Sequence, residues 1–417
     1  MRFLLEICKR KQAMSSEMIV DRGAVLRDPR ALALLFAASL TTMANATISP
    51  ALGGLAELFA DHPNARFMTT LLVPAPSLTV IFCAPLAGLA VDCLGRRWLL
   101  LTGILLFAIT GSAGLYLADL TSILTSRLAL GLAVAMIMTS QTALIGDYYE
   151  GTALKRLAGL QVSARNFGGF AFITLAGWLA ATSPRLPFAV YALPVLLLLL
   201  VWRVIAEPAV RCDRAAAPGQ SLAPLGEKWF GPVMGLAALQ MGTTALFFIM
   251  PTQIPFLLAA RGFDSASGTG IVLGALTLAG GLAALAYHRA SGRFGEIGVF
   301  ATGYVLMALG FAGIASSPEF AATLAGAIAI GLGFALVMPN FVTLALMIAP
   351  AERRGVIGGI LTTSVFVGQI VSPFATTPMI SKVGYAWTFA AAAGLVLCFA
   401  AASSAAALLR RSRSRAT

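Results

Sequence analysis

The chain has 417 residues, of which 59% are hydrophobic and 11% are charged, with a net charge of +12. Soluble domains carry about a quarter charged residues, so this composition excludes a sizeable soluble domain and indicates a membrane protein. The bases cluster between apolar runs and form no continuous stripe, which argues against a nucleic-acid partner.

Twelve apolar segments follow one another along the chain. Each is long enough to cross a bilayer as a helix, and none alternates as a membrane β-barrel strand does. The sequence therefore predicts an all-α polytopic membrane protein with 12 transmembrane helices in two pseudo-symmetric six-helix bundles. The predicted spans are 31–53, 68–91, 98–118, 121–146, 157–181, 186–206, 230–258, 267–288, 297–316, 319–349, 355–381 and 385–409.

A central loop divides these spans into two halves. It contains three prolines and an Ala-Ala-Ala-Pro-Gly run, which are typical of a flexible connection. The predicted organisation is a cytosolic segment without a signal peptide, an N-terminal bundle, the cytosolic loop, a C-terminal bundle and a basic cytosolic tail, at 1–30, 31–206, 207–229, 230–409 and 410–417. The start of the chain stays open between Met1, Met14 and Met18.

The basic residues predict the orientation in the membrane. With the N-terminus inside, 24 of the 29 Lys and Arg residues, Arg165 among them, fall on the cytosolic side. Arg127 is the one base assigned to the interior of a span. Because positive charge marks the cytosolic side, we expect both termini in the cytosol. The Arg- and Ala-rich composition is typical of a bacterial protein, so we expect a multi-pass protein of the cytoplasmic (inner) membrane.

The two halves repeat at an offset of 200 residues. Gly131-Leu-Ala-Val-Ala-Met is answered by Gly331-Leu-Gly-Phe-Ala-Leu, and Gly168 is answered by Gly368. The turn that ends in Gly95 is answered by the one that ends in Gly295. Three matches at one offset indicate a duplicated six-helix unit. Parallel halves of this kind bind substrate at their interface near the bilayer midplane.

A short charged turn lies between the second and third spans. It reads Gly88-Leu-Ala-Val-Asp92-Cys-Leu-Gly95-Arg96-Arg97. With these residues the chain resembles the major facilitator superfamily, whose signature after span two is Gly-x-Leu-x-Asp-Arg-x-Gly-Arg-Arg; here Cys93 stands where Arg is usual. The second family signature, Arg-x-x-x-Gly on span four, is similar to Arg127-Leu-Ala-Leu-Gly131. The resemblance covers essentially the whole chain.

The resemblance implies that this turn is a conformational latch. Asp92 would face the positive end of the helix that starts near Gly355, and a carboxylate gains about 0.3–1 kcal/mol there. Arg96 would pair with Asp147 at the cytosolic end of span four. The C-terminal counterpart carries Gly292 where Asp92 would be, so the latch is predicted for the N-terminal half alone. Its members are Gly88, Asp92, Gly95, Arg96, Arg97 and Asp147.

Polar residues inside the spans are the candidates for substrate binding or coupling. Intramembrane ionisable residues are usually functional, so Arg127 is expected to bind an anionic group or to hold a proton-linked network. The alternative is that Arg127 reaches the outer interface with its charged end. The spans that line the central cavity of the family carry Asn45, Gln240 and Asn340, which rank above Gln141, Gln253 and Gln369. Gly131 completes the set.

Several kinds of site are predicted to be absent. The 17 Asp and Glu residues fall in loops, tails or span ends, so a cationic solute is a poorer match than a neutral or anionic one. The five cysteines show no paired spacing, and neither a metal site nor a cofactor signature is present in the sequence. His288 is interpreted as an interfacial histidine, with proton handling as the alternative.

The sequence predicts a secondary transporter, not an enzyme, that moves a small organic solute by alternating access. Proton-coupled efflux is preferred by resemblance to the drug and metabolite exporters, although Ile173-Thr174 replaces the Gly-Pro of the family's antiporter signature on span five. One alternative is an uptake symporter or a facilitator, and another is a non-transporting sensor on the same fold. The expected partners are the solute, protons and membrane lipid, and the expected state is a monomer.

Overall fold

The computed structural model describes residues 27–149, 151–207, 229–348 and 354–415. The first half begins where Asp28 caps a helix: its carboxylate accepts a hydrogen bond from the Arg30 backbone nitrogen at 2.9 Å. Asp119 caps the longer helix of the fourth span in the same way. The helices of this half are α1 Pro29–Ala46, α2 Leu52–Leu58, α3 Ala65–Leu71, α4 Ala75–Leu94, α5 Arg96–Ser112, α6 Leu120–Tyr148, α7 Gly151–Thr182, α8 Pro187–Val190 and α9 Pro194–Val204.

The second half follows the central loop, which lies outside the described residues. Two of its long helical segments each contain a kink at a glycine with positive φ. These glycines are Gly295 (67°) and Gly384 (79°). Each of these helices therefore consists of two parts that change direction at the glycine. The helices of this half are α10 Phe230–Phe247, α11 Ile249–Ala260, α12 Ser265–Ser316, α13 Phe320–Ile348 and α14 Arg354–Arg415.

All regular secondary structure of the described residues is helical, as predicted. Nine helical segments are long and apolar enough to cross a membrane, or ten if the pair 65–71 and 75–84, bent by 42°, is one span. One of the nine, Val356–Ala401, contains the break at Gly384. Helix α7, which is 32 residues long and carries the predicted fifth span, is not among the nine. The count of twelve stays a prediction.

The repeat seen in the sequence is also a repeat of contacts. A side chain at Gly131 would lie 2.2 Å from the Pro76 carbonyl oxygen, and one at Gly331 would lie 2.1 Å from the Leu276 carbonyl oxygen. All four positions are related by the same offset of 200 residues. Such close approach requires glycine. The two halves therefore pack their corresponding helices in the same way.

Each half has its own apolar core, and a third apolar cluster joins them. Phe107 belongs to the first core and Phe311 to the second, and both are fully buried. The third cluster joins residues of both halves, among them Ile48, Leu52, Phe188, Phe248 and Phe256. Large apolar side chains also cover the outside of the bundle, with Trp178 and Trp387 each 72% exposed. An exposed belt of this kind fits a lipid environment.

Candidate functional site

Aromatic and basic side chains close the pathway at its predicted outer end. The Arg66 guanidinium donates a short hydrogen bond to the Tyr385 hydroxyl and lies 5.0 Å from the centre of the Phe256 ring. Nearby, the rings of Phe67 and Phe374 meet edge to face at 5.4 Å. Arg66 and Phe67 belong to the first half and the other three residues to the second. This set of contacts, here called the outer seal, holds the two halves together.

Close helix packing adds to the outer seal at the same end of the bundle. A side chain at Gly177 on α7 would lie 2.6 Å from the Cα atom of Gly270 on α12. A side chain at Gly53 would lie 2.7 Å from the Ser265 hydroxyl. These backbones are too close for water to pass between them. The structure is therefore closed toward the predicted outer side.

Gln369 is the polar centre of the interface between the halves. Its side-chain oxygen accepts a hydrogen bond of 2.9 Å from the Asn45 amide and a shorter one from the Ser77 hydroxyl. Gln369 lies on α14, whereas Asn45 and Ser77 lie on α1 and α4. From the sequence, Gln369 was a weaker candidate for substrate binding than Asn45. Its partners 292 and 324 residues away along the chain gave no signal in the sequence.

Arg127 is enclosed within the first half. Its side chain is 0% exposed, so the interpretation that it reaches the outer interface is wrong. Its Nε donates to the Leu72 carbonyl at 3.1 Å, one terminal nitrogen donates a short bond to the Ala44 carbonyl, and the guanidinium lies 5.0 Å from the Tyr191 ring centre. Both carbonyls lie at helix ends, where the last four carbonyls lack helical partners. Arg127 therefore ties the ends of α1 and α3 to α6.

Arg165 lies inside a predicted span, which does not agree with its assignment to the cytosolic side. It lies within the predicted span 157–181, in the middle of α7, and its side chain is half-buried. Its Nε is buried without a hydrogen-bond partner among the described residues. The predicted bounds 157–181 already contain residue 165, so the count of cytosolic bases and the span prediction disagree at this position. Arg127 is therefore not the one base inside a span.

A cleft of about 490 Å³ opens between the halves on the predicted cytosolic side. It lies between α4 and α6 of the first half and α14 of the second. Its walls are apolar with three threonine hydroxyls, and no carboxylate contributes to them. The lining residues are Val80, Ala84, Gly88, Met138, Thr139, Thr142, Ala143, Thr362 and Phe366. The predicted latch glycine Gly88 thus borders the cleft.

Two other predicted substrate residues lie in contacts within the second half. The Gln240 side-chain oxygen accepts a 3.2 Å hydrogen bond from Ser364, and the Asn340 oxygen accepts one of 2.7 Å from the Tyr287 hydroxyl. Gln240 is 3% exposed and Asn340 is 0% exposed. In this conformation both residues join helices of one bundle. Their role in substrate binding stays a prediction.

The predicted latch region contains the expected ion pair and one residue that the sequence missed. Arg96 Nε lies 3.2 Å from the Asp147 carboxylate. The Glu207 carboxylate accepts hydrogen bonds from the backbone nitrogens of Arg96 and Arg97 at 2.7 and 2.9 Å. A carboxylate at a helix N-terminus is stabilised by the unpaired N–H groups and the helix dipole. The side chains of Asp92 and His288 lie outside the described residues.

The geometry defines a class of protein: a helical membrane protein with two similar bundles and a cleft between them that is closed at one end. The Major Facilitator Superfamily model matches residues 34–269 and 246–417. The chain belongs to this superfamily of transporters. It is therefore a transporter and not an enzyme.

Similar proteins extend this assignment at low identity. Multidrug resistance protein 1 of Bacillus subtilis (strain 168) is 23% identical over 312 residues, which cover 72% of this chain and 78% of that protein. The structure of the human organic anion transporter MFSD10 (TETRAN) matches with a TM-score of 0.68 at 18% identity, covering 89% of this chain and 98% of that one. A D-xylose-proton symporter matches with a TM-score of 0.71 at 16% identity, covering 91% and 97%. These structural likenesses show the fold alone.

Proposed function

We propose that the chain exports a small neutral or anionic organic solute across the cytoplasmic membrane by alternating access, driven by the proton gradient. The observation that carries the proposal is the combination of the outer seal with the 490 Å³ cleft on the opposite side. A cleft that is open to one side and closed to the other is one of the two end states that alternating access requires. The second end state needs the outer seal to separate.

The cleft favours an amphiphilic solute without a positive charge. Met138 and Phe366 supply apolar contacts, and Thr139 and Thr142 supply hydroxyls that can donate or accept hydrogen bonds. A cationic solute would need a carboxylate or an aromatic cage to replace its hydration, and the cleft lining offers neither. Export is preferred because the Bacillus relative is named for drug resistance. Proton coupling is carried over from the superfamily.

Uptake is the second candidate function. The cleft is large enough for a metabolite, and the absence of the Gly-Pro pair at Ile173 and Thr174 removes one argument for antiport. A symporter or a facilitator for a neutral or anionic metabolite would use the same two end states. A sensor on the same fold would not need the outer seal to open at all. These three functions differ in net flux and in its dependence on protons.

One experiment separates these functions. Cells that overproduce the protein, and cells with the empty vector, are loaded with a panel of labelled organic acids, amides and sugars, with and without a protonophore. Export predicts lower accumulation of at least one solute in the producing cells, and the protonophore abolishes the difference. Higher accumulation that collapses with the protonophore indicates symport, and a flux unaffected by it indicates a facilitator. Equal accumulation of the whole panel would contradict transport.

A reversible crosslink tests alternating access directly. Arg66→Cys combined with Tyr385→Cys places two thiols across the outer seal, where the native side chains are in contact. A bifunctional methanethiosulfonate reagent should stop the flux of any transported solute, and a reductant should restore it. The two single variants serve as controls, since neither can form the link. Unchanged flux in the crosslinked protein would contradict the need for the seal to open.

The latch remains part of the proposal and has its own test. Asp92→Asn removes the charge that would hold the halves closed on the cytosolic side while it preserves the side-chain size. The variant should insert in the membrane at the level of the parent protein and transport poorly. Membrane abundance and initial flux are measured together. Flux close to that of the parent protein would remove Asp92 from the mechanism.

A further inference from the structure

Arg165 carries a charge inside the bundle that the fold does not use. Its side chain is half-buried, and its buried Nε has no hydrogen-bond partner among the described residues. Among the described residues, Arg96 forms an ion pair with Asp147, and no carboxylate pairs with Arg165. Unpaired charges inside a membrane protein face water or a ligand, because lipid and apolar protein do not solvate them.

The position of Arg165 on its helix shows which space it faces. One turn further along α7, a side chain at Gly169 would lie 2.8 Å from Thr42 on α1 and 3.3 Å from Thr277 on α12. Residues four apart lie on the same face of a helix. Arg165 therefore projects between α1 of the first half and α12 of the second. Helical side chains point toward the N-terminus of their helix, which for α7 is the predicted cytosolic end.

The neighbouring faces of α7 are occupied by other contacts. Leu157 and Ala176 pack in the core of the first half. Asn166 and Phe167 lie against Gly280 and Gly281 of α12. The face that carries Arg165 lies beside these contacts, at the interface of α1, α7 and α12 between the halves. Arg165 is about 12 Å inside the predicted start of the span at residue 157, counted at 1.5 Å per residue.

We infer that Arg165 binds the anionic group of the transported solute in the space between α1 and α12. The inference rests on the proposed function and narrows its substrate class to organic anions that carry a carboxylate, sulfonate or phosphate. The guanidinium presents paired N–H donors that match these groups in a two-point hydrogen bond. The Thr42 side chain is half-buried beside the same space, and its hydroxyl supplies a further donor. Arg127 cannot serve this purpose in this conformation because its side chain is fully enclosed.

The electrostatic part of the inference can be tested without knowing the solute. In the full-length protein with its five cysteines replaced by alanine, Thr42→Cys places a single thiol near Arg165. The anionic reagent sodium 2-sulfonatoethyl methanethiosulfonate and its cationic trimethylammonium analogue are applied from the predicted cytosolic side. A cation in a confined cleft raises the local concentration of anions by about tenfold or more. The sulfonate reagent should therefore react about ten times faster than its analogue.

Three variants and one condition decide the outcome. Arg165→Gln should abolish the preference for the anionic reagent, whereas Arg165→Lys should retain it. Arg203→Gln, which removes an exposed base at the predicted cytosolic end of α9, should leave the preference unchanged. High salt should weaken the preference in the parent protein, and this test requires no substitution at Arg165. Equal rates for the two reagents in the parent protein, or an unchanged preference in Arg165→Gln, would overturn the inference.

Transport measurements then separate this inference from the proposed function. If the panel identifies a transported anion, Arg165→Gln should raise its KM at least tenfold with a smaller change in maximal flux. If Arg165→Gln loses the labelling preference but transports the anion with a normal flux and KM, the inference is contradicted and the proposed transport is not. A clear labelling preference in a protein that moves no solute would support an anion site and contradict the proposed export.

Discussion

The contacts inside each half differ in kind from the contacts between the halves, and the two arginines Arg127 and Arg165 show the difference. Arg127 has two backbone carbonyls and an aromatic ring around it, all from its own half. Arg165 faces the other half and has no partner for its Nε among the described residues. One terminal nitrogen of Arg127, Nη1, is also buried without a hydrogen-bond partner among the described residues, but the side chain is fully enclosed by its own half. The difference between the two arginines is therefore their location: Arg127 stabilises one bundle, whereas Arg165 lies at the interface. Across the interface that must separate during transport, Gln369 and the outer seal hold partners, whereas the Arg165 Nε has none among the described residues.

Removing Arg127 should produce the largest loss of stability. Arg127→Ala leaves the carbonyls of Ala44 and Leu72 buried without these donors and opens a cavity beneath Tyr191. The loss of buried, charged hydrogen bonds should lower the free energy of unfolding by about 3 kcal/mol. It is measured by denaturation of the purified protein in detergent. Arg203→Ala is the control and should be nearly neutral, because Arg203 is exposed.

The same substitution also tests whether Arg127 binds substrate. If its role is structural, the molecules that remain folded should retain the KM of the parent protein. A tenfold higher KM at unchanged stability would reverse the assignments of the two arginines. Arg127→Lys should be intermediate in stability, because one ammonium cannot reproduce the planar geometry that reaches both carbonyls and the ring.

The glycine contacts inside the halves should be nearly as sensitive. Gly131→Ala and Gly331→Ala each place a methyl group about 2 Å from a carbonyl oxygen of a neighbouring helix, so the helices must move apart. Each should cost roughly 2 kcal/mol in the same unfolding measurement. Gly313→Ala is the matched control, since a side chain there meets nothing within 4 Å. Equal stability of all three variants would show that the helices relax at no cost.

The fold was largely predictable because its signals are local. Apolar length predicted the helices, and the offset of 200 residues predicted a duplicated unit, with which the paired contacts of Gly131 and Gly331 agree. The family motifs placed the chain in its superfamily. The breaks at Gly295 and Gly384 follow from a backbone conformation that side chains other than glycine rarely adopt.

The candidate site was less predictable because it depends on which face of a helix a residue occupies. Arg127 and Arg165 are both arginines within predicted spans, and composition cannot tell a side chain enclosed in one half from one at the interface between the halves. Gln369 ranked low because its partners Asn45 and Ser77 come from the other half of the chain. Glu207 was assigned to a flexible loop, although its carboxylate caps the helix that begins at Arg96.

Gln369 allows a direct comparison of a contact between the halves with one inside a half. Gln369→Ala removes the hydrogen bonds to Asn45 and Ser77, so the conformation with the outer seal closed should lose about 1–2 kcal/mol relative to the open one. This shifts the population of the open conformation by about five- to thirtyfold. It is measured by the reaction rate of a cysteine at Ser372 with a reagent applied from outside.

The control for this variant has the same chemistry within one half. Gln253 donates to Thr376 and Thr377 at 3.3 and 3.1 Å, and all three residues belong to the second half. Gln253→Ala should lower stability to a similar degree without changing the cysteine reaction rate. If both variants increase that rate equally, the effect comes from general loosening of the bundle and not from the interface.

The smallest effect is expected at the surface ion pair of Arg96 and Asp147. Their side chains are 19% and 28% exposed, so water screens the pair and it should contribute only about 0.5 kcal/mol to stability. A double-mutant cycle with Arg96→Gln and Asp147→Asn measures this coupling energy in the unfolding assay. The same four proteins are then compared in flux. A contact that only stabilises the half should change flux little, whereas a latch should change flux far more than stability. Equal and small effects on both would show that the pair belongs with the contacts inside the half and is not part of a latch.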